Sequence, residues 1–200
     1  MASCRARLLG HGPLEEAGPL KLRAFFGLPV PETRRELLSR YVAACASITP
    51  EFRWVVAANL HLTVRFIGSV ERELVESIAD SLGAAGLRGF ELELGDLGTF
   101  RRGRLVRVVW LGLRSGAEQA AELAARVEAA CARAGLEPEA RAFQPHLTLA
   151  RARGRDGGVL PMLPEAPPVE PWRARELVLY QSRLGRAGAV YEPVRVLSLD

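Results

Sequence analysis

His61-Leu62-Thr63-Val64 and His146-Leu147-Thr148-Leu149 are one tetrad written twice, 85 residues apart (146 − 61). The chain contains three histidines, so two of them share one four-residue setting. Each tetrad alternates polar and apolar residues. That is the period of a half-buried strand, on which His and Thr at i and i+2 project from the same face. An imidazole beside a hydroxyl is therefore presented twice. Two imidazoles and two hydroxyls suit an acid and a base on either side of a phosphate, with hydroxyl donors on its oxygens.

Working outward, the rest of the chain repeats in nearly the same register. Leu38 and Val42 match Leu123 and Val127 at a spacing of 85, as do Glu91-Leu92 and Leu94 with Glu176-Leu177 and Leu179; Arg23 matches Arg107 at 84. One repeat pair makes no solenoid. It makes a pseudo-two-fold protein in which the two histidine strands face each other across the axis. Strands and helices are interspersed, so the class is α+β, with antiparallel sheets covered by helices.

The elements follow from pattern and punctuation. Strands are expected at residues 22–28, at 59–67 (broken by Gly68-Ser69), at 90–94, 105–113, 176–182 and 191–199. Helices are expected from Glu32 or Thr33 to Ala46, from Val70 to Leu82, and from Ala117 to Ala134, closed by Gly135. A Gly/Arg loop (Arg151 to Gly158) and a Pro-rich segment (Pro161 to Pro171) lie between. Residues 1–20, with His11, read as a flexible tail, and residues 21–200 as one bilobal domain.

Composition narrows the class. An apolar fraction of 48% with 25% charged residues belongs to a globular protein with a sizeable core. The net charge of +4 mildly favours a polyanionic partner, and nearly all the basic charge is Arg, Lys21 being the sole lysine. Cys4, Cys45 and Cys131 are scattered, with the latter two on the apolar faces of helices, so buried thiols in a reducing, cytoplasmic compartment are expected. No stretch approaches a membrane span, and residues 1–21 lack the apolar run of a signal peptide.

Competing chemistries fit less well. Zinc needs three or four ligands at close spacing, and here two histidines have matched settings without a cysteine or carboxylate in their motif, so no metal is expected. No GxSxG, Walker loop or dinucleotide fingerprint is present, so neither a covalent nucleophile nor a nucleotide cofactor is expected. The glycines between Gly154 and Gly158 read as a plain loop before an anion nest. Trp54, Phe66, Phe143 and Tyr180 are candidates to stack a base, although each fits the core as well. Arg65 shares the face of His61 and Thr63 by strand period, as a cleft-lining cation or a rim charge. Arg101, Arg102 and Arg104, with Arg151, Arg153 and Arg155, form two basic loops able to guide a polyanionic backbone.

The paired tetrads resemble those of the two-histidine phosphoesterases, and with them the contexts Asn59-Leu60-His61-Leu62-Thr63 and Pro145-His146-Leu147-Thr148-Leu149-Ala150-Arg151. Together with Arg23-Ala24-Phe25-Phe26-Gly27-Leu28-Pro29 and Tyr180-Gln181-Ser182-Arg183-Leu184-Gly185, they resemble more closely the RNA 2′,3′-cyclic phosphodiesterases, or LigT-like 2′-5′ RNA ligases. The resemblance implies two lobes with a cleft between them and one HxT strand from each. It implies metal-independent opening of a 2′,3′-cyclic phosphate to a 2′-phosphomonoester. His61 would be the proton donor and His146 the proton acceptor, while Thr63, Thr148 and Arg151 would contact the phosphate. The expected partner is RNA with a 2′,3′-cyclic phosphate end, acted on by a monomer, with 2′-5′ RNA ligation as a secondary activity. Two alternatives stand beside this: a small cyclic nucleotide such as an ADP-ribose cyclic phosphate as substrate, or a non-catalytic module that binds RNA ends.

Overall fold

The computed structural model describes residues 21–185 and 188–200, so the expected tail, with Cys4 and His11, lies outside the described residues. The chain runs β1 (Lys21–Pro29), α1 (Glu32–Ile48), β2 (Phe52–Trp54), a 3-10 turn (Ala57–Asn59), β3 (His61–Glu71), α2 (Arg72–Ala84), β4 (Phe90–Arg102) and β5 (Leu105–Ser115). It continues through α3 (Ala117–Arg133), β6 (Leu147–Ala152), β7 (Trp172–Ala174), β8 (Glu176–Gly185) and β9 (Gly188–Ser198). Among the described residues no helix is long and apolar enough to cross a membrane.

The strands join in the order β7-β4-β5-β6-β3-β1-β8-β9, every pairing antiparallel, with β2 added beside β6. The expected α+β duplication is present, with an exchange that spacing did not reveal. The repeat matches β4 to β8, yet β4 pairs with β5 of the second half and β8 pairs with β1 of the first. Each lobe, β4-β5-β6 or β3-β1-β8-β9, is thus built from both halves of the sequence.

The lobes meet at one register pair, Leu62 opposite Leu147. These are repeat equivalents (147 − 62 = 85), so the pseudo-two-fold axis passes through this pair. Leu28 lies opposite Leu62 and Leu111 opposite Leu147, which completes a row of four leucines across β1, β3, β6 and β5. All four are at most 1% exposed. They belong to a core that also takes Leu38, Val42 and Cys45 of α1, Val75, Ile78 and Leu82 of α2, and Leu123, Val127 and Cys131 of α3. Cys45 and Cys131 are free and buried, as expected.

The duplication extends to an irregularity. The β1–β3 ladder shifts register between Phe26 and Gly27, so that Val64 is passed over; the β5–β6 ladder shifts between Val109 and Trp110, so that Leu149 is passed over. The last residue of each tetrad is therefore the extra residue of a bulge, which turns the strand after its His and Thr. The ladders also correct one match. Gly27 and Trp110 stand opposite Thr63 and Thr148, a spacing of 83 (110 − 27), so Arg23 and Arg107, at 84, are not ladder equivalents.

Some boundaries differ from the pattern. β3 continues past Gly68-Ser69 to Glu71 because Lys21–Arg23 of β1 pair with Ser69–Glu71, and Gly68, at φ +88°, lets the chain bulge without ending the strand. β4 extends eight residues past Leu94 (102 − 94) because it forms a hairpin with β5 around Gly103. β7, which follows the Pro-rich segment and edges β4, was not anticipated.

Truncating the seam should therefore weaken the whole molecule. Leu147→Ala, and separately Leu62→Ala, is expected to cost about 2–5 kcal/mol of stability, as for other fully buried leucines. Urea unfolding checks this, with exposed Val196→Ala as the neutral control.

Candidate active site

The two tetrads hold their histidines in the same way. His61, the first residue of β3, has Nδ1 donating to the Asn59 carbonyl at 2.7 Å. His146, just before β6, has Nδ1 donating to the Gln144 carbonyl at 2.7 Å. In each case the acceptor is the backbone two residues upstream, and a carbonyl oxygen can only accept. Nδ1 therefore carries the hydrogen, and Nε2 is the free nitrogen of both neutral rings. His61 Nε2 lies 3.0 Å from Thr63 Oγ1, whose hydroxyl donates to it.

A cavity of about 460 Å³ is lined by His61, Thr63, Thr148 and Arg151, with Arg23, Phe25, Asn59 and Tyr191 among its walls. A second cavity of about 810 Å³ contains His146 and shares Thr63 and Phe66 with the first. The two are halves of one cleft joined at Thr63. Strand alternation accounts for the division of labour: Leu62, Val64, Leu147 and Leu149 are buried, while His61, Thr63, His146 and Thr148 are half-exposed.

Aromatic rings box both imidazoles. Phe25 lies 4.7 Å from the His61 ring, and Tyr191 meets it edge-on at 5.2 Å. Phe100 meets the His146 ring edge-on at 5.0 Å, with Trp110 at 5.9 Å. Trp110 lies flat against Gly98, where an added Cβ would sit 2.2 Å from the indole, so only glycine fits opposite it.

This packing shifts the proton affinities. Burial pushes His61 down to about 4; the Asn59 carbonyl opposes the shift, and the Arg151 and His146 charges add to it. His146 is also lowered, by burial first and then by Arg151, against the Gln144 carbonyl. Arg151 is the cation felt by both rings.

Other sequence candidates scatter. Phe66 is 40% exposed, lines both cavities and carries the Arg23 guanidinium 4.7 Å from its ring centre. Phe143 lies on the His146 side alone. Trp54 packs against the core and donates to Thr49 Oγ1, and Tyr180 stacks on Phe25. Arg65 is only 9% exposed and is bound by Glu128, Glu139 and the Glu137 carbonyl, because the bulge at Val64 turns it away from strict alternation. It is a paired strut between β3 and α3 that also borders the His146-side half of the cleft, so it lines the cleft but not as a free cation. The two basic loops come together through the Arg102–Asp156 ion pair at 2.8 Å. The Gly154–Gly158 segment is a turn whose Gly157 and Gly158 amides donate to the Gly154 and Val106 carbonyls, the plain-loop reading. Among the described residues no three His, Cys, Asp or Glu side chains gather as metal ligands do.

Sequence reading missed Phe25, Tyr191, Phe100 and Trp110 as ring walls, and Asn59 and Gln144 as tautomer-setting positions. The last two had a signal, since they stand at the repeat spacing (144 − 59 = 85). The aromatic walls had none, because nothing local separates them from core residues.

Comparison with known proteins agrees in sequence and in fold. Residues 34–186 match the model of the 2′-5′ RNA ligase superfamily. The chain is 34% identical over 176 residues to an RNA 2′,3′-cyclic phosphodiesterase of Escherichia coli K12, covering 86% of this chain and 94% of that one. It is 31% identical over 189 residues to an RNA 2′,3′-cyclic phosphodiesterase of Methanothermobacter thermautotrophicus, covering 90% of this chain and all of that one (100%). The crystal structure of E. coli LigT complexed with 3′-AMP superposes with a TM-score of 0.76 at 30% identity, covering 90% of this chain and 99% of that chain. With three-quarters of its length matched by the family model and two relatives above 30% identity, this chain belongs to the 2′-5′ RNA ligase superfamily.

Proposed function

We propose that this chain opens RNA 2′,3′-cyclic phosphate ends to 2′-phosphomonoesters by acid–base catalysis between its two tetrad histidines. One observation carries the reading: two imidazoles from symmetric strands, each with Nδ1–H held by a backbone carbonyl and Nε2 left as the unprotonated nitrogen, border one cleft that contains Thr63, Thr148 and Arg151. Relatives named RNA 2′,3′-cyclic phosphodiesterase support the substrate class. Both tetrads come from one chain, which supports a monomeric enzyme of one domain over residues 21–200. The free, buried Cys45 and Cys131 suit a reducing, cytoplasmic compartment.

Water attacks phosphorus from the His146 side, and His146 Nε2 takes its proton. The P–O3′ bond opposite breaks, and His61 Nε2–H gives its proton to the departing O3′. Thr63 and Thr148 donate to the non-bridging oxygens, and Arg151 offsets their charge. Solvent then resets the two protonation states. Both rings are neutral in the free protein near pH 7, given the depressed proton affinities. The anionic substrate raises His61 and so recruits the proton that it will give away.

An RNA oligomer ending in a 2′,3′-cyclic phosphate, incubated in excess EDTA, should yield the 2′-monoester. His61→Ala and His146→Ala should each lose about 10²–10⁴-fold in kcat, the range for a proton-transfer role. A 3′-monoester product, or full activity in either variant, would contradict the assignment. Thr63→Val and Thr148→Val should each lose about 10–100-fold in kcat/KM, as for a hydrogen bond to a charged group.

The pH dependence has a definite sign. Protonation of free His61 and His146 occurs below 6.5, so the bell in kcat/KM should peak on the acid side of pH 6.5. The bell in kcat, which reports the complex, should lie at higher pH. Arg151→Gln removes a cation from beside both rings and should move the kcat/KM bell upward. A kcat/KM maximum above pH 7 in the parent protein would count against this electrostatic account.

A further inference from the structure

The tetrads are alike, but the stretches that lead into them are held differently. Residues 52–60 precede His61, and residues 137–145 precede His146 at the repeat spacing (145 − 60 = 85). The first stretch is tied by backbone hydrogen bonds. Phe52–Trp54 of β2 pair with Ala150–Ala152 of β6, and the Val55 amide donates to the Leu149 carbonyl at 2.8 Å. The Asn59 amide closes the 3-10 turn on the Val56 carbonyl, and the Asn59 side chain donates to the Ala189 carbonyl at 2.6 Å. The second stretch is neither helix nor strand, and among the described residues no backbone–backbone hydrogen bond reaches residues 137–145.

One side chain supplies what the backbone does not. Arg65 of β3 donates from Nη2 to the Glu137 carbonyl at 2.7 Å and from Nη1 to the Glu139 carboxylate at 3.2 Å. Its Nε pairs with the Glu128 carboxylate of α3, and Glu128 in turn accepts from the Glu139 amide at 3.2 Å. A buried guanidinium thus spans loop and helix together, a task for its planar fork rather than for a lysine's point charge. Five residues past Glu139 (144 − 139), the same loop presents the Gln144 carbonyl that holds His146 Nδ1–H. The repeat equivalent of Arg65 is Ala150 (150 − 65 = 85), so the first half has no such clamp, and the β2–β6 ladder takes its place.

We infer that Arg65 is a positioning residue for His146: it clamps the 137–145 loop and so keeps the Gln144 carbonyl where it selects the Nδ1–H tautomer. The inference rests on the base role proposed above for His146. His146 Nε2 can take a proton from water only while the hydrogen of the neutral ring sits on Nδ1. With the loop released, the carbonyl moves off, and the ring can carry its hydrogen on Nε2, where it is no base. Arg65 borders the His146-side cavity, yet it reaches the base only through the loop. A residue on the first tetrad strand thus sets the base of the second, which couples the two halves at a point other than the Leu62–Leu147 pair.

The test measures turnover of an RNA 2′,3′-cyclic phosphate and, without substrate near pH 8 where both rings are neutral, the imidazole nitrogen-15 shifts that tell Nδ1–H from Nε2–H. Arg65→Gln should lower kcat about ten- to a hundredfold with KM within about twofold, the scale of a misplaced catalytic group. It should also move His146, and not His61, toward the Nε2–H form. Arg65→Lys keeps the charge without the fork and should show both changes in weaker form. Glu139→Ala opens the clamp at a side chain that is 46% exposed, where folding is not at stake, and should act in the same direction. A raised KM with kcat unchanged, or Arg65→Lys equal to the parent, would make Arg65 a cation for the substrate and overturn the clamp. Lower urea stability with kcat and the His146 tautomer unchanged would make it a strut for the fold alone and overturn the clamp as well. No turnover by the parent protein would overturn the phosphodiesterase reading beneath it, while the nitrogen shifts still decide the clamp.

Discussion

Leu62 and Leu147 meet side by side at the centre of the sheet, and the architecture depends on that contact. Repeat-equivalent residues pair with each other there, so the site inherits a two-fold axis. Whatever one strand does to its histidine, the other does to its own: the backbone carbonyl on Nδ1, the hydroxyl two residues on, the bulge after it. The ladder between β3 and β6 consists of this pair alone among the described residues, and the cleft lies alongside it. Burying the four-leucine row thus stabilises the fold and sets the two imidazoles against each other in one act. The exchange of β4 and β8 between halves reinforces it, because neither lobe can form without strands from both.

The proposed acid and base must differ, and the repeats diverge around them. Arg151 has Phe66 as its repeat equivalent (151 − 66 = 85). One position gives a cation beside both rings, and the other gives an exposed aromatic face with Arg23 resting on it. His61 is walled by Phe25 and Tyr191, His146 by Phe100 and Trp110. Desolvation of both rings places their titration on the acid side of that of a free imidazole, so in the proposed mechanism the proton on His61 is recruited by the anionic substrate.

Much of this was legible in the chain. The tetrads, their spacing and the α+β duplication follow from local pattern, because the period of apolar residues reports which face is buried. What could not be read depends on partners distant in sequence. β3 runs through Gly68-Ser69 because β1 is there to pair with it, and β7 exists because β4 offers an edge. Strand period put Arg65 on the face of His61 and Thr63; it does border the His146-side cavity, but the bulge at Val64 buries it in an ion pair with α3 and leaves no free cation there. The aromatic walls around the imidazoles belong to strands that meet only in the folded sheet. The basic loops at Arg102 and Asp156 likewise become one surface only on folding.

The central claim is that His61 and His146 act from opposite sides of one phosphorus in a single displacement. Its most direct test is stereochemical. An RNA 2′,3′-cyclic phosphorothioate of defined configuration is opened in heavy-oxygen water, and the configuration at phosphorus in the 2′-product is determined. The account predicts inversion, since one in-line attack reverses the centre once. Retention would require two successive displacements through a covalent intermediate on one histidine, and would contradict the account.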